Sequence, residues 1–133
     1  MLRNSNYSFR DLTVYKKAFE LAMEIFEVSK AFPKEKRYSL KDQIRRSSRA
    51  VCSCIAEAYR KRNYQAYFVS KSSDADMENS ETIVWLDFSL ACEYISKTTH
   101  TIFINKSEEV GKLINHMIRY PEKYEIKTLP TAN

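Results

Sequence analysis

One glycine, Gly111, and three prolines in 133 residues leave this chain with little material for tight corners. Strand-rich folds need Gly, Asn and Pro at frequent turns, so the scarcity favours a few long helices joined by short connections. Three cysteines, Cys52, Cys54 and Cys92, are an odd number, and the first residues carry no hydrophobic leader. That combination argues against a disulfide framework and for a reducing, cytoplasmic setting. Cys52 and Cys54 fall about 200° apart on a helix, so they do not share a metal and are expected to be small buried thiols. No apolar run approaches the roughly 20 residues of a membrane span.

The chemistry-bearing residues are equally sparse. Nucleophilic catalysis needs a base brought to a Ser or Cys, and the chain has two histidines, His100 and His116. A bundle-type di-metal site needs Glu three positions before a His on each of two helices, and neither histidine has one. The nearest imitation is Asp74, Glu78 and Glu81, at i, i+4 and i+7. With a single glycine there is no Gly-rich loop to cradle a phosphate. The sequence therefore offers no catalytic residue, metal site or cofactor, and the chain is expected not to be an enzyme.

What the chain does have is length for one domain, helical periodicity and an uneven charge. A chain of 133 residues fits a single core and buries about two-thirds of its unfolded surface. From Lys30 to Arg62 eleven basic residues face only Glu35, Asp42 and Glu57, which exceeds the whole chain's net charge of +5. The excess points to a polyanion partner through counterion release.

Four helices are predicted, at about 11–31, 39–62, 65–95 and 97–120, forming an all-α, antiparallel up-and-down four-helix bundle. The first carries two apolar seams, Leu12-Tyr15-Phe19-Ala22-Phe26 and Val14-Ala18-Leu21-Ile25-Val28, and so needs neighbours on two sides. Pro33 stops it. The second has Leu40, Ile44, Val51, Ile55 and Tyr59 inward, with small residues that let another helix come close. The third is polar at first and strongly apolar from Ile83 to Ile95. Ser96 reads as an N-cap for the fourth, which turns Phe103, Val110, Leu113, Ile114 and Met117 inward. The segment 122–133 has no period and is expected to be loosely attached.

A second–third helix hairpin turning near Asn63 sets positions summing to about 125 side by side. Arg45, Arg46 and Arg49 then oppose Asp76, Glu78 and Glu81 in a ladder of ion pairs that fixes register. Arginines so engaged are withdrawn from other anions, which leaves Lys34, Lys36, Arg37, Arg60, Lys61 and Arg62 as the candidate polyanion-binding residues. Tyr59, Tyr64 and Tyr67 lie beside the last three and could stack on single-stranded bases. The simpler expectation is that Tyr59, Tyr67 and Phe68 pack the helix corner.

Several segments together resemble a known family. Gln43-Ile44-Arg45-Arg46 followed by Ile55-Ala56-Glu57-Ala58, the opening Phe9-Arg10-Asp11-Leu12-Thr13-Val14-Tyr15 and the loop Phe32-Pro33-Lys34-Glu35 are similar to the bacterial four-helix-bundle proteins related to the ribosomal-RNA intervening-sequence proteins. The stretch Asp74-Ala75-Asp76-Met77-Glu78-Asn79-Ser80-Glu81-Thr82, leading into Val84-Trp85-Leu86-Asp87-Phe88, resembles one branch. The resemblance covers about residues 7–124. It implies an antiparallel bundle assembled as a homopentameric ring, and through the related accessory proteins of diversity-generating retroelements, a basic surface for nucleic acid. Cys52, Cys54, Ala58 and Arg60 stand where the family often has Pro, Asn, Gly and Gly. The second helix is accordingly expected to run straight and to lack a flexible corner.

The resulting expectation is a cytoplasmic, oligomeric protein that holds RNA or DNA, or serves as a scaffold, without sequence readout. The alternative is an adaptor for a partner protein with no nucleic-acid role.

Overall fold

The computed structural model describes residues 8–34 and 39–126. Helices α1 (Thr13–Ser29), α2 (Leu40–Arg60), α3 (Gln65–Ala91) and α4 (Lys97–Arg119) form an antiparallel four-helix bundle. Each packs on its neighbours in chain order and α1 closes against α4, while the backbones of the diagonal pairs α1–α3 and α2–α4 stay apart across the core. Among the described residues no helix is long and apolar enough to cross a membrane.

The helix starts are written in side-chain chemistry. Ser8 opens a one-turn 3-10 helix, Phe9–Asp11, with a reciprocal cap: its hydroxyl accepts from the Arg10 N–H while its own N–H donates to Asp11. Ser39 accepts from the Asp42 N–H at 3.1 Å to open α2, and Ser96 accepts from Thr99 at 3.0 Å to open α4. These hydroxyls satisfy N–H groups that the first helical turn leaves without partners.

Buried positions recur in alternating steps of four and three, the seam of helices packed about 20° off antiparallel. On α1 the seam is Val14, Ala18, Leu21 and Ile25, and on α4 it is Phe103, Ser107, Val110, Ile114 and Met117. On α3 it runs Phe68, Ser72, Ala75, Asn79, Thr82, Leu86, Ser89. The apolar half of α3 therefore buries little more than Leu86, and it turns Val84 and Phe88 to solvent. The small seam residues of α3 meet Ser47, Ser48, Val51 and Ala58 on α2, so these two helices pack closely. Ser47 and Thr82 share a hydrogen bond of 2.8 Å across that contact. Between α3 and α4, the Asn79 amide donates to the Ser107 carbonyl at 2.9 Å, and a Cβ at Gly111 would come within 3.3 Å of that amide. The chain's one glycine serves helix approach, not a turn.

Helix α2 runs unbroken through Cys52 and Cys54, both buried. Burial pushes the Cys52 thiol up to about 11 and raises that of Cys54, so both are protonated and inert at neutral pH. Cys92, at the end of α3, is exposed.

Helix α3 stops four residues short of the predicted end. Tyr94 N–H returns to the Ser89 carbonyl at 2.8 Å and Glu93 N–H to Leu90 at 2.9 Å, which forces Glu93 to φ 63°. This 6→1 and 5→2 closure usually has glycine at the left-handed position. A side chain there costs about 1–2 kcal/mol. Glu93→Gly is expected to raise the thermal midpoint by roughly 3–10 °C, read by circular-dichroism melting. An unchanged or lower midpoint would mean that the Glu93 side chain makes a compensating contact.

The end of the chain departs from expectation too. Residues 122–126 are tied down, not loose. Tyr124 is half-buried, its ring 5.3 Å from Phe68 and its hydroxyl 2.7 Å from His116 Nδ1. The Ile126 N–H then donates to Asn63 at 2.9 Å. A lone tyrosine with a half-buried ring and a bonded hydroxyl supplies what periodicity does not announce. The rest of that predicted segment, 127–133, lies outside the described residues.

Candidate nucleic-acid interface

The six predicted binding residues do not form one patch. Lys34 follows α1 at one end of the bundle, and Arg60, Lys61 and Arg62 sit at the other end, separated by the full length of α2, about 31 Å at 1.5 Å per residue. Lys36 and Arg37 lie outside the described residues.

At the α2–α3 corner the roles divide. Arg62 folds back, donating to the Tyr59 carbonyl at 2.8 Å with its guanidinium 3.9 Å from the Tyr59 ring centre. It caps the last turn of α2, where cations are favoured by unsatisfied carbonyls. Arg60 and Lys61 remain exposed, with the Lys61 ammonium 5.7 Å from the Tyr64 ring. Tyr59 and Phe68 are buried as corner packing, whereas Tyr64 is 67% and Tyr67 43% exposed. The corner thus presents two cations and two aromatic rings to solvent.

The predicted three-arginine ladder is carried by one arginine. Arg46 binds both Glu78, at 3.1 Å, and Glu81, and these carboxylates hold its pKa above the ordinary value, Glu78 most strongly. Arg45 and Arg49 turn instead to α1. Arg45 donates to Ser29 Oγ at 2.7 Å and to the Phe26 carbonyl at 3.2 Å, and its guanidinium lies 4.3 Å from the Phe26 ring centre. Arg49 stands over the same ring at 5.7 Å. The reason is angular: consecutive helical residues point about 100° apart, while residues four apart share a face. Arg45 and Arg49 therefore share the α1 side and Arg46 faces α3. Asp76 has no ion-pair partner among the described residues. The i, i+4 spacing of Arg45 and Arg49, set against the α1 seam that ends at Phe26, is the signal that separates them from Arg46.

Other polar clusters are consumed locally. Lys71 bridges Glu57 at 3.0 Å and Asp74 at 3.6 Å, so Asp74, Glu78 and Glu81 all have cationic partners. His100 pairs with Asp87 at 2.8 Å on the surface, and His116 anchors Tyr124. Lys17–Glu109 and Lys106–Glu24 lace α1 to α4 at 3.1 and 2.8 Å.

Comparison with known proteins agrees with this architecture. No curated protein matches the chain. A solved structure from Bacteroides thetaiotaomicron, described as a protein of unknown function from the S23 ribosomal protein family, superposes with a TM-score of 0.73 at 30% sequence identity. The alignment covers 80% of this chain and 99% of that one. The family model described as 23S rRNA-intervening sequence protein matches residues 10–116, which takes in all four helices but the last turn of α4, and the chain belongs to that family.

Proposed function

We infer that this chain is a non-enzymatic, self-assembling protein that holds nucleic acid through surface cations without reading its sequence. The observation that carries this reading is the α2–α3 corner, where exposed Arg60 and Lys61 stand beside exposed Tyr64 and Tyr67. Cations that lack carboxylate partners are free to displace counterions from phosphates, and tyrosine faces accept any unstacked base.

Assembly is supported by apolar surface. Phe19 and Met23 on α1, and Met77, Val84 and Phe88 on α3, are exposed. The two stripes lie on diagonally placed helices whose backbones stay apart. A second copy joining its α1 stripe to the α3 stripe of the first makes a head-to-tail contact, and such contacts make a ring where the rotation between copies closes and a filament where it does not. A ring, five-membered by family likeness, repeats each corner and turns weak single contacts into avidity.

The test is a light-scattering mass on protein freed of nucleic acid, followed by titration of labelled single-stranded RNA and DNA across a salt series. A ring engaging six to ten phosphates of a single strand is expected to lose roughly 10²–10⁴-fold in affinity between 50 and 200 mM salt. The double substitution Arg60→Gln, Lys61→Gln should flatten that slope. An oligomer indifferent to both nucleic acids would sink the reading, and recovery of a tightly held protein in its place would favour the adaptor.

A further inference from the structure

The groove that Arg45, Arg46 and Arg49 form on α2, with Asp42, Ala50 and Ser53, is an open trough of about 510 Å³. We propose that it is a phosphate-binding groove for a nucleic-acid strand, with Arg49 and Arg45 as its contacts and Phe26 as their platform. This rests on the polyanion reading above and adds a site to it.

The three guanidiniums have different duties. Arg46 gives one terminal nitrogen to both Glu78 and Glu81, whose two carboxylates offset its charge, and it forms a wall. Arg45 is held in place by two hydrogen bonds to α1 and by the Phe26 ring, so its side chain is already ordered before any ligand arrives. Only its Nε and one terminal nitrogen are used in those bonds, which leaves donors on the other terminal nitrogen. Arg49 leans over the same ring, is exposed, and has no carboxylate partner among the described residues. A planar guanidinium fixed by stacking loses less freedom per hydrogen bond formed, and its fork matches two phosphate oxygens.

Asp42 is the opposing charge at the mouth. It lies in the first turn of α2, where the positive end of the helix offsets part of its charge. Two available guanidiniums against one carboxylate make a weak trap for one small anion. They suit a repeating charge, because Arg45 and Arg49 stand four residues apart on one face, about 6 Å along the helix axis.

The groove also lacks what an extended acidic peptide needs. Its floor is mid-helix backbone, whose N–H and C=O groups are spent in α2, so no main-chain ladder can form. Phosphate contacts need only side-chain donors and charge. Phe26 is already covered by guanidinium, so the groove offers no free ring to read a base.

The experiment compares the wild-type assembly, Arg49→Gln, Arg49→Lys, and the Arg60→Gln, Lys61→Gln double variant. Each is titrated with a labelled oligouridylate of about twenty nucleotides across the salt series. Arg49→Gln is expected to lower the salt slope by about 0.7 for each groove engaged on a single strand. Arg49→Lys should keep the slope and lose only part of the affinity. Equal melting temperatures show that the fold is intact. If Arg49→Gln matches wild type while the corner variant is weakened, the groove proposal is overturned and the broader reading stands.

If wild type binds no nucleic acid, the broader reading fails and a second measurement decides the groove. Arginine side-chain ¹⁵N resonances are followed during titration with inorganic tripolyphosphate and, separately, with polyglutamate. Shifts at Arg45 and Arg49 with tripolyphosphate alone support a phosphate site for a free ligand. Shifts with neither probe, or at lower concentrations of polyglutamate, overturn it.

Discussion

Phe68→Ala is expected to cost about 3–5 kcal/mol of folding stability, a large share of the roughly 5–15 kcal/mol that holds a domain of this kind. Phe68 is wholly buried and belongs to the cluster that joins Ala58 and Tyr59 of α2, Ala75 of α3, and Ile114 and Met117 of α4. The surrounding helix backbones cannot collapse into the vacated space, so lost transfer energy and a residual cavity add together. The ring also supports Tyr124 at 5.3 Å, and through it the His116 bond that fastens residues 121–126. Tyr124→Phe, which removes only the hydroxyl, should cost about 1 kcal/mol. In the Phe68→Ala background it should cost less, since the tail is already loosened. Denaturant midpoints of the four proteins in this cycle provide the check. A loss below 1 kcal/mol for Phe68→Ala would mean that α3 repacks at its start and the corner is softer than its burial implies. Phe68 touches no solvent, so the folded fraction of the variant should keep wild-type affinity for RNA. The same ring thus separates what the fold needs from what the surface offers.

The contrast between what could and could not be read in the chain follows the same division. Apolar periodicity marks α1, α2 and α4 to within two residues, helped by the serines that open α2 and α4, because both signals are local. Helix α3 is harder. Its core seam is built from Ser72, Asn79, Thr82 and Ser89, which look like surface, while Val84 and Phe88 look like core and are exposed. Small polar residues can be buried there because α2 comes close enough to bond Thr82, and α4 close enough to receive Asn79. That closeness belongs to the assembled bundle and not to any window of sequence. The end of α3 is hidden for a related reason. Glutamate occupies a left-handed position that normally announces itself with glycine.

The candidate site divides similarly. The hairpin register is legible, and it brings Arg46 to Glu78 and Glu81 as the counting of positions predicts. Which face Arg45 and Arg49 choose depends on where α1 lies, and the apolar seam of the first helix that ends at Phe26 holds that information. The corner cations are evident in the sequence, yet the diversion of Arg62 into capping Tyr59 is not, because either role suits a basic residue at a helix end. Antiparallel topology alone was enough to show that Lys34 and Lys61 stand at opposite ends of the bundle.

The exposed rings make the sharpest expected result for assembly. Phe19 on α1 is 51% and Phe88 on α3 is 53% exposed. In a head-to-tail ring every contact joins one α1 stripe to one α3 stripe. Phe19→Asp spoils the first partner in every contact, and Phe88→Asp spoils the second. An unpaired carboxylate in an apolar contact costs several kcal/mol, enough to reduce each variant to a single chain of 15.7 kDa in solution. Mixing the two variants restores one combination, the intact α1 stripe of Phe88→Asp against the intact α3 stripe of Phe19→Asp. The mixture is therefore expected to give a dimer that cannot grow further, seen by light scattering after size exclusion. A two-fold arrangement, in which like stripes meet, makes the opposite forecast. Each single variant would then keep one contact and remain a dimer alone, and mixing would change nothing. If both variants retain the wild-type mass, neither stripe is an assembly surface, and the avidity on which weak phosphate contacts depend must come from elsewhere.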